Sequence, residues 1–290
     1  MEQKVTERWL AYQPPYRWQR LLDFWAGRAI DGVEQVVGGV YFRTVKIKEA
    51  GWIRVEHHPK KQALSLTVPE ALIPDLPLLE ARVRHMFDLD ADPAEIDRHL
   101  SSMNEIQEGL FHPGTRVPGS YDSFEMCVRA ILGQQITVKA ARTIASRLAA
   151  DLGEAVDAGM DGLDRLFPSP ATIAGLEEGV ADRLGPLGVT GRRSLTIQKL
   201  AELHLAESMD FFSDRDIESK MKTLLAIPGI GPWTAQYIAM RTFKWPDAFP
   251  GTDYGVKKAL EPRSQKEIDK LAENWRPYRA YATVNIWNSL

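Results

Sequence analysis

The sequence holds a single cysteine, Cys127, in 290 residues. A lone thiol cannot close an intramolecular disulfide, and it cannot supply a cysteine-rich zinc site or a cysteine-ligated iron–sulfur cluster. No stretch approaches 18 consecutive apolar residues, so a transmembrane helix is excluded. The opening MEQKVTERWLAYQPPYRW lacks the apolar run of a signal peptide, and a cytosolic protein without membrane contact is expected. Charge of one sign is also missing: the net charge is −3 and the pI about 6.1. That balance excludes a generic polyanion binder but leaves room for a local basic surface. There is no internal repeat and no low-complexity tract. What is present is ordinary globular composition, 44% hydrophobic and 26% charged, enough for a sizeable core. The length fits two domains or one large one.

Texture changes along the chain. Trp18–Ile30 has helical spacing, with Leu21, Leu22, Trp25 and Ala29 on one face. VVGGVYFRTVKI, GWIRVEHH and QALSLTV follow as β-branched and aromatic runs separated by polar turns, which predicts an antiparallel meander. The helical period returns in LPLLEARVRHMF and AEIDRHL. From Asp122 onward everything reads as helix. Asp122-Ser123-Phe124-Glu125 has the form of a capping box, and Thr137 caps a helix that stops at Gly153. Further helices are expected over about 171–178, 192–206, 217–226, 232–244, 266–275 and 278–289. The fold class is therefore α+β: a small antiparallel sheet domain over 1–98, then an all-α part. That part divides into one subdomain of 99–121 with 246–290 and another of 122–245.

Two metal-like patterns fail. Asp88, Asp90 and Asp92 have the spacing that opens a calcium loop, but Pro93 and His99 stand where glycine and glutamate are required. Asp92 is better placed as an N-cap ahead of Pro93. His57 and His58 are adjacent on an expected strand, so they point to opposite faces. Cys127 beside Val128 and Ile131 reads as a small buried residue.

The informative stretch runs from Ile217 to Leu260. An amphipathic helix ends at Ala226, Ile227-Pro228-Gly229-Ile230-Gly231 follows, and a second helix begins at Pro232. Two glycines two apart permit positive φ and a close backbone approach. The free N–H groups of the loop and of the new helix, with its dipole, form an anion site. This helix-hairpin-helix pattern grips a DNA phosphate without many lysines. Residues 215–244 carry five basic and two acidic side chains. Arg192, Arg193 and Lys199 form a second basic segment. Trp233 and Tyr237 share a helix face at i, i+4. Asp253 lies in a loop entering VKKAL, where an acid is commonly a helix cap.

With those residues in view, the chain resembles the AlkA-type DNA-3-methyladenine glycosylase II family of helix-hairpin-helix base-excision glycosylases. The resemblance spans nearly the whole length. It rests on Tyr12-Gln13-Pro14-Pro15-Tyr16-Arg17-Trp18, Val128 to Gln135, Pro228 to Ala235, Asp253-Tyr254, and Trp275 to Ala282 with Trp287. It implies Asp253 as the catalytic carboxylate. It places Trp233, Tyr237, Trp287 and Phe24 around a base pocket, with Tyr254 near it. Gly229, Ile230, Gly231 and Thr234 would hold a DNA phosphate, and Gln134, Gln135 and Ile136 would belong to the intercalating loop. Gln135 occupies a wedge position where a family member can carry leucine, so Ile136 is an alternative plug. No cofactor is implied beyond a monovalent cation, Na or K, on the carbonyls of Leu225 and Ile227. The partner would be double-stranded DNA containing alkylated bases, and the protein a monomer.

The chemistry implied is base excision. A base buried in a duplex must be extruded, at a few kcal/mol. An N-alkylated purine is cationic, stacks on electron-rich rings and leaves without a general acid. Positive charge then develops on the sugar, and one nearby carboxylate meets it. Bifunctional relatives carry a nucleophilic lysine at the position aligned with Trp233; tryptophan cannot form a Schiff base, which implies a monofunctional enzyme. Two alternatives stand beside this reading: a non-enzymatic helix-hairpin-helix DNA-binding protein, and a glycosylase for other damaged bases such as hypoxanthine or oxidised bases.

Overall fold

A computed structural model describes residues 4–176, 179–206 and 216–290. Near the N-terminus, β1 (Val5–Ala11), β2 (Glu34–Val37), β3 (Val40–Lys46), β4 (Ala50–His58) and β5 (Ala63–Pro69) form one antiparallel sheet in the order β1-β5-β4-β3-β2. The meander expected from the β-branched runs is β2 to β5. The run VVGGVYFRTVKI is broken by a hairpin at Gly38 and Gly39, whose φ angles of 61° and 81° suit a tight turn between β2 and β3. Strand β1 has no counterpart in the sequence reading. Its residues are mostly exposed, and its partner is the last strand, Trp9 opposite Ser65.

One sheet face is apolar. Tyr41, Val45, Ile53, Val55, Leu64, Leu66 and Val68 are all buried. Helix α1 (Trp18–Ala26) packs Leu21, Leu22 and Trp25 into that core, and α2 (Leu76–Phe87) adds Leu79, Val83 and Met86. The chain continues through α3 (Pro93–Leu100), capped by Asp92 through Ala94 N–H at 3.0 Å, and α4 (Met103–Ile106).

Helices α5 (Ser123–Leu132) and α6 (Val138–Leu152) follow. Thr137 caps α6 as expected, through Ala140 N–H at 3.2 Å. Next comes a short hairpin, β6 (Ala155–Met160) with β7 (Leu163–Arg165), inside the part expected to be helical throughout. Helices α7 (Pro170–Ala174), α8 (Val180–Leu184), α9 (Gly191–Leu205), α10 (Ile217–Leu225) and α11 (Pro232–Thr242) complete this region. The end of the helix expected over 171–178 and the charge counted at Arg215 lie outside the described residues. Helices α12 (Tyr254–Ala259), α13 (Gln265–Ala272) and α14 (Arg279–Asn288) pack with α3 and α4 around Trp275. Among the described residues, no helix is long and apolar enough to cross a membrane.

A buried ionic cluster ties the sheet to α5. Arg43 on β3 meets Glu125 at 2.7 Å, Glu125 meets Arg129 at 2.8 Å, and Arg129 meets Glu34 on β2 at 2.6 Å. The Tyr41 hydroxyl donates to the same Glu34. Burial would raise the Glu34 carboxyl, but Arg129 and Arg43 outweigh it and hold the group below its usual range. The cluster also explains why the Asp122 capping box is only half made. Asp122 accepts Glu125 N–H at 2.8 Å, while the Glu125 carboxylate turns to the two arginines instead of reaching back. Removing one partner of such a buried set leaves a stranded charge, at a cost of about 3–5 kcal/mol.

Candidate active site

Asp253 stands at the N-cap of α12. Its Oδ1 accepts the N–H groups of Gly255 at 2.9 Å and Val256 at 3.3 Å, so it is a helix cap in the ordinary sense. Two indoles also reach the same carboxylate. Trp287 Nε1 on α14 donates to Oδ1 at 2.9 Å, and Trp233 Nε1 on α11 donates to Oδ2 at 3.3 Å. Capping saturates Oδ1 and fixes the carboxylate plane. Oδ2 has only the longer bond from Trp233 and keeps acceptor capacity toward the cleft.

That cleft has a volume of about 500 Å³, within the ordinary range of small-molecule sites. Trp233, Tyr237, Trp287 and Asp253 line it, with Ile136 and Val138 contributed by the segment that enters α6. The rings of Trp233 and Tyr237 lie 5.4 Å apart and nearly parallel, at 6°. This is the i, i+4 pairing expected from the sequence. Tyr254 lines the cleft as a residue 77% exposed.

Phe24 does not take the place expected for it. It stacks behind Trp287, with centroids 6.4 Å apart, and borders a separate small depression with Arg17 and Arg20. Two guanidiniums lie over its ring, Arg28 at 3.7 Å and Arg241 at 4.7 Å from the centroid. Phe24 therefore stacks on Trp287 and two guanidiniums and is not among the residues that line the cleft.

Four arginines line the cleft, Arg28, Arg129, Arg142 and Arg241, and three of them, Arg28, Arg129 and Arg241, act on the Tyr237 hydroxyl. Arg241 Nη1 donates to the Tyr237 hydroxyl at 2.8 Å. Burial pushes Arg241 down to about 10, with repulsion from Arg28 and Arg129 adding to the effect. Burial would raise the Tyr237 hydroxyl, but these three cations outweigh it and lower its pKa. The sequence reading missed this group. Arg241 could have been found, because it lies at i+4 from Tyr237 on the same helix face. Arg28, in the turn after α1, and Arg129, on α5, come from distant parts of the chain and left no local signal.

At the hairpin, Gly229 has φ +96°, and a Cβ there would sit 2.1 Å from Thr196 Oγ1. Glycine is thus required by α9 packing beneath the loop. Gly231 differs from the expectation of two special glycines: its φ is −91°, and nothing lies within 4 Å of an added Cβ. It caps α11 without a side chain, which leaves the first N–H groups of that helix facing outward. Ile230 points its side chain into the core, so it can meet a phosphate only through its backbone. Thr234 is likewise buried, and its hydroxyl accepts from Gln134 Nε2 at 2.9 Å.

Gln134 also donates to the Gly229 carbonyl at 3.0 Å. Its side chain is thus committed inside the protein, latching the loop between α5 and α6 to the hairpin. Gln135 is the exposed member of the loop and adopts φ +55°, a left-handed conformation that a non-glycine residue rarely holds without a functional reason. Ile136 is partly buried and lines the cleft. Cys127 is fully buried, and burial pushes its thiol well up. His57 packs on Trp18, while His58 lies 3.9 Å from Glu56.

A helical hairpin and a carboxylate in an aromatic cleft are the features of this site, and the family matches place them in a base excision DNA repair protein of the helix-hairpin-helix type. Residues 128–276 match the HhH-GPD superfamily of base excision DNA repair proteins. The chain belongs to the AlkA branch of that superfamily, and residues 7–122 match the AlkA N-terminal domain. It is 33% identical to DNA-3-methyladenine glycosylase 2 of Escherichia coli K12 over 279 residues, 96% of this chain and 95% of that protein. Among solved structures it is similar to the 3-methyladenine DNA glycosylase of Archaeoglobus fulgidus, with a TM-score of 0.80, 21% identity and 97% of each chain covered. It is also similar to the Clostridium acetobutylicum 8-oxoguanine glycosylase/lyase bound to DNA, with a TM-score of 0.70, 16% identity, and 94% and 90% of the two chains covered. At these identities the structural likeness speaks to fold alone. The protein is a base excision repair glycosylase.

Proposed function

We propose that this glycosylase hydrolyses the N-glycosidic bond of alkylated purines such as 3-methyladenine in double-stranded DNA, acting as a monomer in the bacterial cytosol and leaving the strand uncut at an abasic site. The observation that carries the reading is the Asp253 carboxylate, held by two amides and two indoles at the edge of an aromatic cleft. Gln135 and Ile136 fill the gap left by the extruded nucleotide, and the N–H groups at the start of α11 hold a phosphate. The base enters between the rings of the cleft. As the glycosidic bond breaks, Asp253 Oδ2 faces the developing positive charge on the sugar and orients the attacking water.

Trp233 occupies the position of the lyase lysine and is engaged with Asp253, which favours hydrolysis over Schiff-base chemistry. A monovalent cation suits the carbonyls of Leu225 and Ile227. Leu225 ends α10, where helix carbonyls lack intrahelical partners and the dipole is negative, and the Ile227 carbonyl two residues on accepts Ile230 N–H at 3.0 Å and keeps a second lone pair. There it would add positive charge beneath the bound phosphate.

One observation favours a second substrate. Arg28 and Arg241 reach the cleft with no carboxylate in ion-pair distance among the described residues. Such cations disfavour a cationic base and suit a neutral one with a carbonyl edge, as in hypoxanthine. Chromatography of bases released from methylated DNA, beside DNA containing hypoxanthine, tests both. Release of 3-methyladenine above the uncatalysed rate is expected; no release from either DNA would sink the reading.

A further inference from the structure

On the face of α6 next to the one that borders the aromatic cleft lies a second groove, of about 540 Å³. We propose that it holds the phosphate backbone of the duplex arm beside the lesion, as a second DNA contact independent of the hairpin. The inference rests on the DNA-repair reading above.

The groove runs between α6 and the pair of segments around Asp31-Gly32 and Asp164-Arg165. Four cations line it, Lys139, Arg142, Arg147 and Arg165, against two carboxylates, Asp31 and Asp164. Its excess of positive charge stands out in a chain of net charge −3. Arg142 is already paired with Asp31 at 2.8 Å. Among the described residues, Lys139, Arg147 and Arg165 have no carboxylate within ion-pair distance. Ser146 lies between them on the same helix face, its hydroxyl accepting Asp31 N–H at 3.0 Å and keeping its own proton to donate, while the Thr143 hydroxyl donates to the Lys139 carbonyl at 3.0 Å. A lining of cations and hydroxyls suits a run of phosphates better than an apolar ligand.

Position selects DNA as the source of those phosphates. Arg142 lines both the groove and the aromatic cleft, so the two share a wall. Lys139 follows Ile136 of the wedge loop by less than one helical turn. Lys139 and Arg147 are eight residues apart, about 12 Å along a helix. Along one strand of a duplex that is about three or four nucleotide steps. A duplex with one nucleotide turned into the cleft would therefore meet the groove as it leaves the wedge.

The test is binding to an undamaged duplex, followed by fluorescence anisotropy between about 50 and 200 mM salt. Each phosphate contact contributes roughly 0.9 to the slope of log affinity against log salt. The double variant Lys139→Gln/Arg147→Gln removes two exposed cations. It is expected to flatten the slope by about 2 and to weaken binding at low salt by at least about tenfold. A matched control, Lys60→Gln/Lys61→Gln, removes two exposed cations from the turn between β4 and β5. It is expected to leave the slope nearly unchanged. An unaltered slope in the first variant, or an equal fall in the control, would overturn the proposal. Wild-type base release separates this from the catalytic reading. A flattened slope in a protein that releases no base keeps the groove and discards the chemistry; base release with an unaltered slope does the reverse.

Discussion

Trp287 donates its indole N–H to the same Asp253 oxygen, Oδ1, that caps α12. The bond joins α14 to the start of α12 across 34 residues of sequence. It divides the carboxylate into an oxygen with three donors, Oδ1, and one with a single longer bond, Oδ2. Capping α12 therefore leaves Asp253 free for the catalytic role proposed for it. The cap prevents rotation of the carboxylate, so Oδ2 faces the cleft without reorganising as charge develops.

The two hairpin glycines should separate on substitution. Gly231→Val places its side chain in open space outside the loop. It is expected to weaken binding to damaged and undamaged duplexes alike, because the contact is to backbone, with little change in melting temperature. Gly229→Val collides with Thr196 at a left-handed position and should destabilise the fold itself, by roughly 1–3 kcal/mol. Melting curves and duplex titrations of both variants decide this. A loss confined to lesion DNA in Gly231→Val would move the loop into the base pocket.

Much of this was legible where chemistry is local. The α10–α11 hairpin followed from apolar spacing around Pro228-Gly229-Ile230-Gly231-Pro232, and the caps Asp92 and Thr137 followed from their helix starts. Strand β1 was not legible, because mostly exposed residues give little alternation and the strand exists through its ladder with β5. The β6–β7 hairpin is short and largely exposed, and it too lacks a pattern. In the site, Trp233 and Tyr237 were readable at i, i+4. The Gln134–Gly229 latch joins positions 95 residues apart, and the Arg43–Glu125 pair joins positions 82 apart. No local spacing encodes such pairs. Phe24 illustrates the limit of resemblance: its place in the chain was right for the region, but Arg28 and Arg241 cover its ring.

The reaction should stop at the abasic site. Borohydride added during turnover is expected to trap no covalent protein–DNA adduct, and the strand should stay intact until alkali is added. A trapped adduct would mean that a lysine acts as nucleophile. Lys257 and Lys258 on α12, in the turns after Asp253, would be examined first.

Acid should weaken the fold through His85. Burial, and then repulsion by Lys244, lowers this imidazole to about 4; Asp88 and Arg241 also face it. Above about pH 6.5 the ring is neutral in both folded and unfolded chains. As pH falls below that, the unfolded chain takes a proton that the folded chain refuses. Stability is then lost at up to ~1.4 kcal/mol per pH unit until about pH 4. Urea titrations between those limits should show His85→Gln with a shallower decline than wild type, by the equivalent of up to one proton. Identical slopes would remove His85 from the acid response.

The most direct test of the central claim is single-turnover base excision by Asp253→Asn. Asparagine can keep a carbonyl oxygen for Gly255, Val256 and Trp287, so the cap and the fold should survive, with a melting temperature close to wild type. What is lost is the negative charge opposite the sugar. An interaction made only with the transition state sets the rate rather than the affinity. Excision is therefore expected to fall by at least about 10²-fold, in line with ~3 kcal/mol for one preorganised electrostatic contact. Affinity for undamaged duplex should hold or rise slightly. An Asn variant that excises within about threefold of wild type would leave Asp253 a helix cap alone and contradict the assignment of catalysis to this cleft.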